Sequence, residues 1–135
     1  MDLNEVEDTA RAVLAPESGL SFSSKVDRGV LHLLINNSAS RRSANSELRR
    51  ETVELTTSGE EGFYLELDGI YFLPQFEYKP EWQADLIVKL IKLAEAYFNG
   101  QGHEQVRRGF FGRRHPELQI ELDGENYIFH HFSER

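Results

Sequence analysis

Two Asp-Gly pairs, each lying between segments in which apolar and polar residues alternate, constrain the fold of this chain more than any other feature. They begin at Asp68 and Asp123, inside segments 63–72 and 118–129. An Asp-Gly pair in such a setting is a strong short-range signal for a β-hairpin with a tight type I′ turn. The sequence therefore predicts two antiparallel hairpins, and with them an antiparallel sheet.

The alternation also predicts which side chains of the first hairpin share a face. A two-residue turn at Asp68-Gly69 places Leu67 opposite Ile70 and makes Phe63 to Phe72 a strand pair with one apolar face. The side chains expected on the opposite, outward face are Tyr64, Glu66, Tyr71 and Leu73.

Two segments show helical rather than strand periodicity. Apolar side chains recur every three or four positions in residues 2–14 and again in residues 80–98. Asp2 is placed to cap the first helix and Pro16 to end it, while Pro80 suits the first turn of the second helix. The second helix carries the wider apolar stripe, so we expect it to be the main helix on the sheet.

Three more strands are predicted between these helices. Residues 20–26 and 30–36 alternate around a three-residue loop at 27–29, and residues 48–57 form the next strand. The small polar residues 37–47 predict a mobile loop.

The resulting order of helix, about five strands, helix, and two or three strands is typical of an α+β protein. We expect a single α+β domain over residues 1–135. Its antiparallel sheet should have about six to eight strands, with the main helix at about 80–98 packed on one face and a short N-terminal helix beside it.

Composition limits the classes of function. The chain has 23 acidic and 15 basic residues, a net charge of −8, which argues against a nucleic acid as partner. It has no cysteine, no apolar run near the ~20 residues of a membrane span, and an acidic N-terminus without a signal-peptide core. We therefore expect a cytoplasmic protein with no membrane partner.

An acidic stretch with tyrosines is the candidate binding site. Residues 58–81 carry six acidic side chains against Lys79 alone, a local charge of −5. Such a surface is either a solvated rim or a site that steers a basic protein into contact. Tyrosines favour the second interpretation, because they supply rigid contact area at interfaces. The predicted partner-binding residues are Tyr64, Glu66, Asp68, Tyr71 and Glu77.

Residues 107–114 combine four arginines with two phenylalanines. They could hold phosphates or a single-stranded nucleic acid by charge and stacking. Alternatively, Phe110 and Phe111 fill the edge of the core while the arginines neutralise acids such as Glu117, which the net charge favours. A second basic cluster comprises Arg41, Arg42, Arg49 and Arg50.

The sequence contains no recognisable catalytic or metal-binding pattern. It lacks a phosphate-binding loop and a nucleophile elbow. Of its five histidines, His130 and His131 are adjacent in a predicted strand and point to opposite faces. We therefore predict no catalytic residue, no metal site and no cofactor.

The chain is acidic, has no cysteine and carries tyrosines among acids, and its predicted α+β fold is built on the 63–72 hairpin, the 80–98 helix and the 118–129 hairpin. In this combination it resembles the bacterial immunity proteins that neutralise polymorphic or contact-dependent toxins. The resemblance is one of architecture and composition over the whole chain, so it transfers no functional residue. It implies a cytoplasmic inhibitor that covers a toxin's active site or substrate surface, and it leaves the oligomeric state open.

Two other classes remain alternatives. Small acidic secretion chaperones are similar in length and charge, although they end in a helix, whereas this chain ends shortly after the predicted strand residues 127–132. A small-molecule-binding or hydrolytic α+β domain would hold its pocket between sheet and main helix, lined by Trp82, Tyr97 and His131.

Overall fold

The computed structural model describes residues 1–14, 19–38 and 48–134, apart from the side chains of Phe110 and Glu134. The predictions concerning Pro16, Arg41 and Arg42, and most of the predicted loop at 37–47, lie outside the described residues.

The described residues form two helices and eight strands. Helix α1 spans Leu3–Val13 and helix α2 spans Pro80–Phe98. The strands are β1 Leu20–Asp27, β2 Val30–Asn37, β3 Thr52–Thr57, β4 Gly62–Leu67, β5 Tyr71–Phe76, β6 His103–Arg108, β7 Arg114–Leu122 and β8 Glu125–His131. Single turns of 3₁₀ helix follow β6 at Phe110–Gly112 and β8 at Phe132–Glu134.

All eight strands belong to one antiparallel sheet with the order β1-β2-β3-β4-β5-β8-β7-β6. The predicted α+β class, the antiparallel sheet and both helices are therefore confirmed. Strand β5 meets β8 through only two residue pairs, whereas the hairpin partners on either side are paired along most of their length. This short junction connects the two halves of the sheet.

Both helices cover the same face of the sheet. The stripe of α2 that includes Leu86, Leu90 and Tyr97 is buried against the inward side chains of the central strands. Helix α1 packs beside α2 and over β1, where the Arg11 guanidinium lies 4.5 Å from the centroid of the Phe22 ring. Asp2 accepts a hydrogen bond from the Glu5 backbone and caps α1 as predicted.

The opposite side of the sheet is hereafter called the open face. Its side chains, with the exception of the buried Glu117, are exposed or half-buried. Strand pairing places Glu54 beside Glu66 and Glu66 beside Phe72 on this face. Since α1 packs against α2, it does not cover these residues.

The two Asp-Gly turns differ in register. At Asp123-Gly124 the pair Leu122–Glu125 closes a two-residue turn, as predicted. At Asp68-Gly69, however, Leu67 pairs with Tyr71 rather than with Ile70. The connection thus contains a third residue, and every position of β5 changes face relative to the prediction.

Ile70 makes one local and one distant hydrogen bond at this turn, and its N–H donates to the Leu67 carbonyl at 2.9 Å. The carbonyl of Ile70 accepts a hydrogen bond of 3.0 Å from the backbone N–H of Phe132, so Ile70 joins the turn to the end of β8. As a result Tyr71 and Leu73 are buried, and Phe72, predicted to be buried, lies half-buried on the open face.

The loop between β1 and β2 differs from its prediction in the opposite sense. Asp27 pairs with Val30, so the turn has two residues instead of the predicted three.

Candidate functional site

Asp68 joins three elements of the fold. Its carboxylate accepts backbone N–H bonds from Arg50 at 2.7 Å, Glu51 at 3.1 Å and Thr52 at 2.9 Å, at the start of β3. It also accepts the hydroxyl of Tyr97, near the end of α2. Burial, and secondarily this hydrogen bond to a carboxylate, raises the pKa of Tyr97. Asp68, predicted to contact a partner, therefore has both carboxylate oxygens occupied within the fold.

Arg50 completes this junction from the other side. Its guanidinium donates to the carbonyls of Tyr97, Gln101 at 2.7 Å and Gly102 at 3.3 Å, and lies 4.9 Å from the centroid of the Tyr97 ring. These carbonyls end α2 or directly follow it, where a positive charge is favourable. Arg50, predicted as part of a basic cluster, thus holds the C-terminal end of α2.

Tyr71 lies in the core. It is buried among the inward side chains, its hydroxyl donates to Glu104 at 2.7 Å, and its ring meets the edge of His131 at 5.4 Å between centroids. The prediction that Tyr71 shares an outward face with Tyr64 and Glu66 is wrong, because the turn at Asp68 has one more residue than predicted. A contact between Tyr71 and a partner is therefore not supported.

The structure does bring Tyr64 and Glu66 together on the open face of β4. Tyr64 packs edge-on against Phe76, with ring centroids 6.2 Å apart. Glu66 lies between Glu54 and Phe72 on the neighbouring strands. Glu54 in turn contacts His32 through an oxygen–nitrogen distance of 3.0 Å.

Four exposed aromatic side chains lie close together in the sequence, between β4 and the first turn of α2. Their exposed fractions range from 36% to 74%. They are Tyr64, Phe76, Tyr78 and Trp82. The sequence does not predict Phe76 as a surface aromatic, because it is the last residue of its strand. It does not predict the exposure of Trp82 either, because Trp82 fits the apolar period of α2. Trp82 nevertheless precedes the part of the helix that packs on the sheet.

Gln83 holds the segments that carry these aromatics. It is buried, and its side-chain amide nitrogen donates to the carbonyls of Glu60 and Glu77, the latter at 2.8 Å. Its amide oxygen accepts a hydrogen bond of 3.2 Å from the amino group of Met1. The β3–β4 turn, the end of β5, the start of α2 and the N-terminus are thus fixed by one side chain. A lone glutamine in the apolar stripe of a helix is the sequence signal for such a role.

Acidic residues are neighbours of the exposed aromatics along the chain, while the Lys79 ammonium lies 4.3 Å from the centroid of the Trp82 ring. Glu60 and Glu61 are in the β3–β4 turn, and the backbone N–H of Glu77 binds the carbonyl of Glu61 at 2.9 Å. The Glu77 carboxylate also accepts the backbone N–H groups of Tyr78 and Lys79, at 3.2 and 3.4 Å, ahead of α2. We call the following set the acidic aromatic patch: Glu60, Glu61, Tyr64, Phe76, Glu77, Tyr78, Glu81 and Trp82. Of the predicted partner-binding residues, Tyr64 and Glu77 belong to it, Glu66 is two positions from Tyr64 on the open face, and Asp68 and Tyr71 are used internally.

The residues predicted to line a pocket between sheet and helix do not converge. Trp82 is exposed, Tyr97 is bound to Asp68, and His131 packs on Tyr71. A groove of about 240 Å³ instead lies between the outer side of α2 and the β7–β8 turn. Its lining includes Asp85, Lys89, Lys92, Asp123, Glu125 and Tyr127.

The arginine-rich segment 107–114 forms the end of the β6–β7 hairpin. Arg107 binds the buried carboxylate of Glu117 at 3.4 Å, as predicted for at least one of these arginines. Phe111, however, is fully exposed, so the prediction that it fills the edge of the core is wrong. The prediction for the Phe110 side chain lies outside the described residues.

Within the described ranges, no three histidine or carboxylate side chains are grouped so that they could hold a metal ion. Neither helix of the described chain is long and apolar enough to cross a membrane. Comparison with protein-family models, with curated proteins and with solved structures gave no match to this chain.

Proposed function

We propose that this chain is a non-catalytic protein-binding domain whose acidic aromatic patch binds a basic protein. We further propose that the partner is a bacterial toxin domain, which the chain inhibits as an immunity protein does. The observation that supports this most directly is the group of four exposed aromatic rings, three inside the stretch 58–81 with its local charge of −5 and the fourth, Trp82, directly after it.

Exposed aromatics and acids contribute differently to such a contact. Tyrosine, tryptophan and phenylalanine bury large rigid areas and are enriched among residues that dominate binding energy. Carboxylates around them mainly increase the rate of encounter with a basic partner. The Gln83 hydrogen bonds fix the segments that carry both, so little ordering entropy is lost when the partner binds.

The open face extends this contact area along the sheet. Tyr64 and Phe76 belong both to the patch and to the open face, and Glu66 and Phe72 continue it toward β8. A partner seated on the patch would reach these neighbours without a change in the fold. In this arrangement the chain inhibits by covering the partner's active or substrate-binding surface.

The proposal is tested by co-expressing the chain in a bacterial host with the toxin domain encoded beside its gene. We expect the chain to restore growth and to bind the purified toxin domain. Phe76→Ala should weaken that binding by about 2 kcal/mol, roughly 30-fold, if Phe76 is one of the dominant contacts. Isothermal titration calorimetry measures the difference.

Val106→Ala is the matched control. Val106 is 57% exposed and Phe76 58%, but Val106 lies on the edge strand β6, three strands away from β5 and toward the opposite end of the strands. Binding by this variant should equal that of the wild type, and both variants should keep the wild-type melting temperature. Unchanged binding by both Phe76→Ala and Trp82→Ala, or failure to restore growth, would contradict the proposal.

A further inference from the structure

The end of the β6–β7 hairpin carries a second surface with the opposite charge. The connection between the strands is closed by a hydrogen bond of 2.9 Å from the Gly109 N–H to the Arg113 carbonyl. At its apex Phe111 has a φ of 62°, in the left-handed region that is unfavourable for an aromatic residue, and its side chain is fully exposed. We call Arg107, Arg108, Phe111, Arg113 and Arg114 the basic tip.

The shape of the basic tip is set by its neighbours. A Cβ on Gly109 would come within 2.6 Å of the His115 ring nitrogen, so the ring of His115 fills the space beside the turn. This packing and the Gly109–Arg113 hydrogen bond both stabilise the turn. The turn thereby carries the Phe111 side chain on its outer side, in solvent.

The positive charge of the basic tip is largely uncompensated. Arg107 binds Glu117, but among the described residues no ion pair involves Arg108, Arg113 or Arg114. The four arginines give the tip a charge of +4 in a chain whose net charge is −8. Positive charge is thus concentrated at one corner of an acidic molecule, which suits an anionic partner that approaches that corner.

The arginines point to both sides of the hairpin. Arg108 pairs with Arg114 on the helix side, whereas Arg107 pairs with His115 on the open face. A single nucleic-acid strand follows a groove or platform and would reach the guanidinium groups on only one side of the hairpin. A flat anionic surface that meets the hairpin end-on would reach guanidinium groups on both sides and the apical ring at once.

We infer that the basic tip docks reversibly on anionic phospholipid headgroups, with Phe111 entering the boundary between headgroups and acyl chains. Guanidinium groups bind lipid phosphates as ion pairs, and an aromatic ring is favourable at that depth. The prediction that the chain has no membrane partner rests on the lack of a membrane-spanning segment. Docking on headgroups is a different kind of membrane contact and needs no such segment. The acidic aromatic patch lies at the other end of the strands, so it would face away from the lipid.

The test is sedimentation of the full chain with vesicles of phosphatidylcholine containing about one-third phosphatidylglycerol, beside vesicles of phosphatidylcholine alone, in low and physiological salt. We expect binding to the anionic vesicles that weakens with salt, and none to the neutral vesicles. Arg113→Gln with Arg114→Gln should lower the partition coefficient by roughly 30-fold, about fivefold for each charge near an anionic surface. Lys89→Gln with Lys92→Gln, the same change of charge on α2, should leave it unchanged.

The contribution of the ring is tested separately. Phe111→Asn suits the left-handed backbone while removing the apolar ring, and should lower partitioning about tenfold. The single tryptophan, Trp82, lies in the acidic aromatic patch, so its emission should not change when vesicles are added. Phe111→Trp in a Trp82→Phe background should instead shift to the blue on anionic vesicles only.

Three results would overturn the inference. The first is no binding to anionic vesicles at low salt, and the second is equal binding of the arginine variant and the wild type. The third is tighter binding to a single-stranded oligonucleotide than to vesicles, which would assign the tip to nucleic acid. Neither these outcomes nor the expected ones depend on the toxin domain, so the test is independent of the proposed function.

Discussion

At the scale of single residues, Asp68 has the largest structural role of the predicted site residues. Three backbone N–H groups at the start of β3 and the Tyr97 hydroxyl all donate to its carboxylate. Buried or half-buried donors that lose their acceptor keep the cost of desolvation, about 1–3 kcal/mol each. Asp68 is thus a residue of the fold, although its position in an exposed-looking turn and its charge predict a surface role.

We expect Asp68→Ala to lower the free energy of unfolding by about 2–4 kcal/mol, because it leaves several donors without an acceptor at once. Urea denaturation measures this change. Glu61→Ala is the control, since it also removes one acid but from an exposed side chain, and it should change stability by no more than about 0.5 kcal/mol. Equal denaturation midpoints for the two variants would show that the Asp68 hydrogen bonds contribute nothing to stability.

The residue scale is also where the sequence predicts least. The faces of Tyr71 and Phe72 depend on one additional residue in a turn, Ile70, which is hydrogen-bonded both to Leu67 and to the distant Phe132. No local pattern contains a contact between positions so far apart. The same reason applies to Gln83, whose role depends on Met1, Glu60 and Glu77 meeting in space.

At the scale of elements, local periodicity predicts the structure well where an element has one buried side. Helices α1 and α2 and the hairpin of β7 and β8 occur where the apolar repeats place them. Strand β6 has no such repeat, because nearly all its side chains are exposed and Val106 is its only aliphatic residue. It is a strand because β7 pairs with it along its full length.

Helix α2 carries a titratable group whose burial predicts a pH dependence. Partial burial raises the pKa of Glu95, an effect that the nearby Lys92 opposes. Because the folded state then holds this proton more tightly than the unfolded state, stability falls as the pH rises from the unfolded pKa, about 4.3, through the folded one. At neutral pH the cost of the buried charge is fully present.

Glu95→Gln should therefore raise the melting temperature at pH 7, and the difference from the wild type should disappear below about pH 4, where both side chains are neutral. Thermal denaturation followed by circular dichroism over this range measures it. Glu121→Gln makes the same change of charge on an exposed strand position and should leave stability at pH 7 within about 0.5 kcal/mol of the wild type. A Glu95→Gln variant that melts below the wild type at pH 7 would contradict the assignment.

At the scale of the whole molecule, the sheet separates two surfaces of opposite charge. The acidic aromatic patch is built on the β3–β4 turn, the end of β5 and the start of α2, while the basic tip is at the free end of the β6–β7 hairpin. They lie at opposite ends of the strands and on different halves of the sheet. The net charge of −8 therefore describes neither surface. It agrees in sign with the acidic aromatic patch because acidic residues outnumber basic ones, and it gives no indication of the basic tip.

This separation gives a kinetic prediction for the proposed toxin complex. Charged side chains at the rim of an interface act mainly on the association rate, whereas buried aromatic contacts act on dissociation. Glu60→Lys with Glu61→Lys reverses two exposed charges of the patch without touching its rings. We expect association with the toxin domain to slow by about tenfold at low salt and to become less salt-dependent, with dissociation nearly unchanged.

Surface plasmon resonance at several salt concentrations separates the two rates. Glu121→Lys with Asp123→Lys reverses the same number of charges on β7 and in the β7–β8 turn. Strand β7 is three strands from β4, and screening over about 10 Å limits the influence of these charges on a partner at the patch. That control should associate at close to the wild-type rate. If both double variants slow association equally, steering comes from the net charge of the molecule, and the patch is not where the basic partner first makes contact.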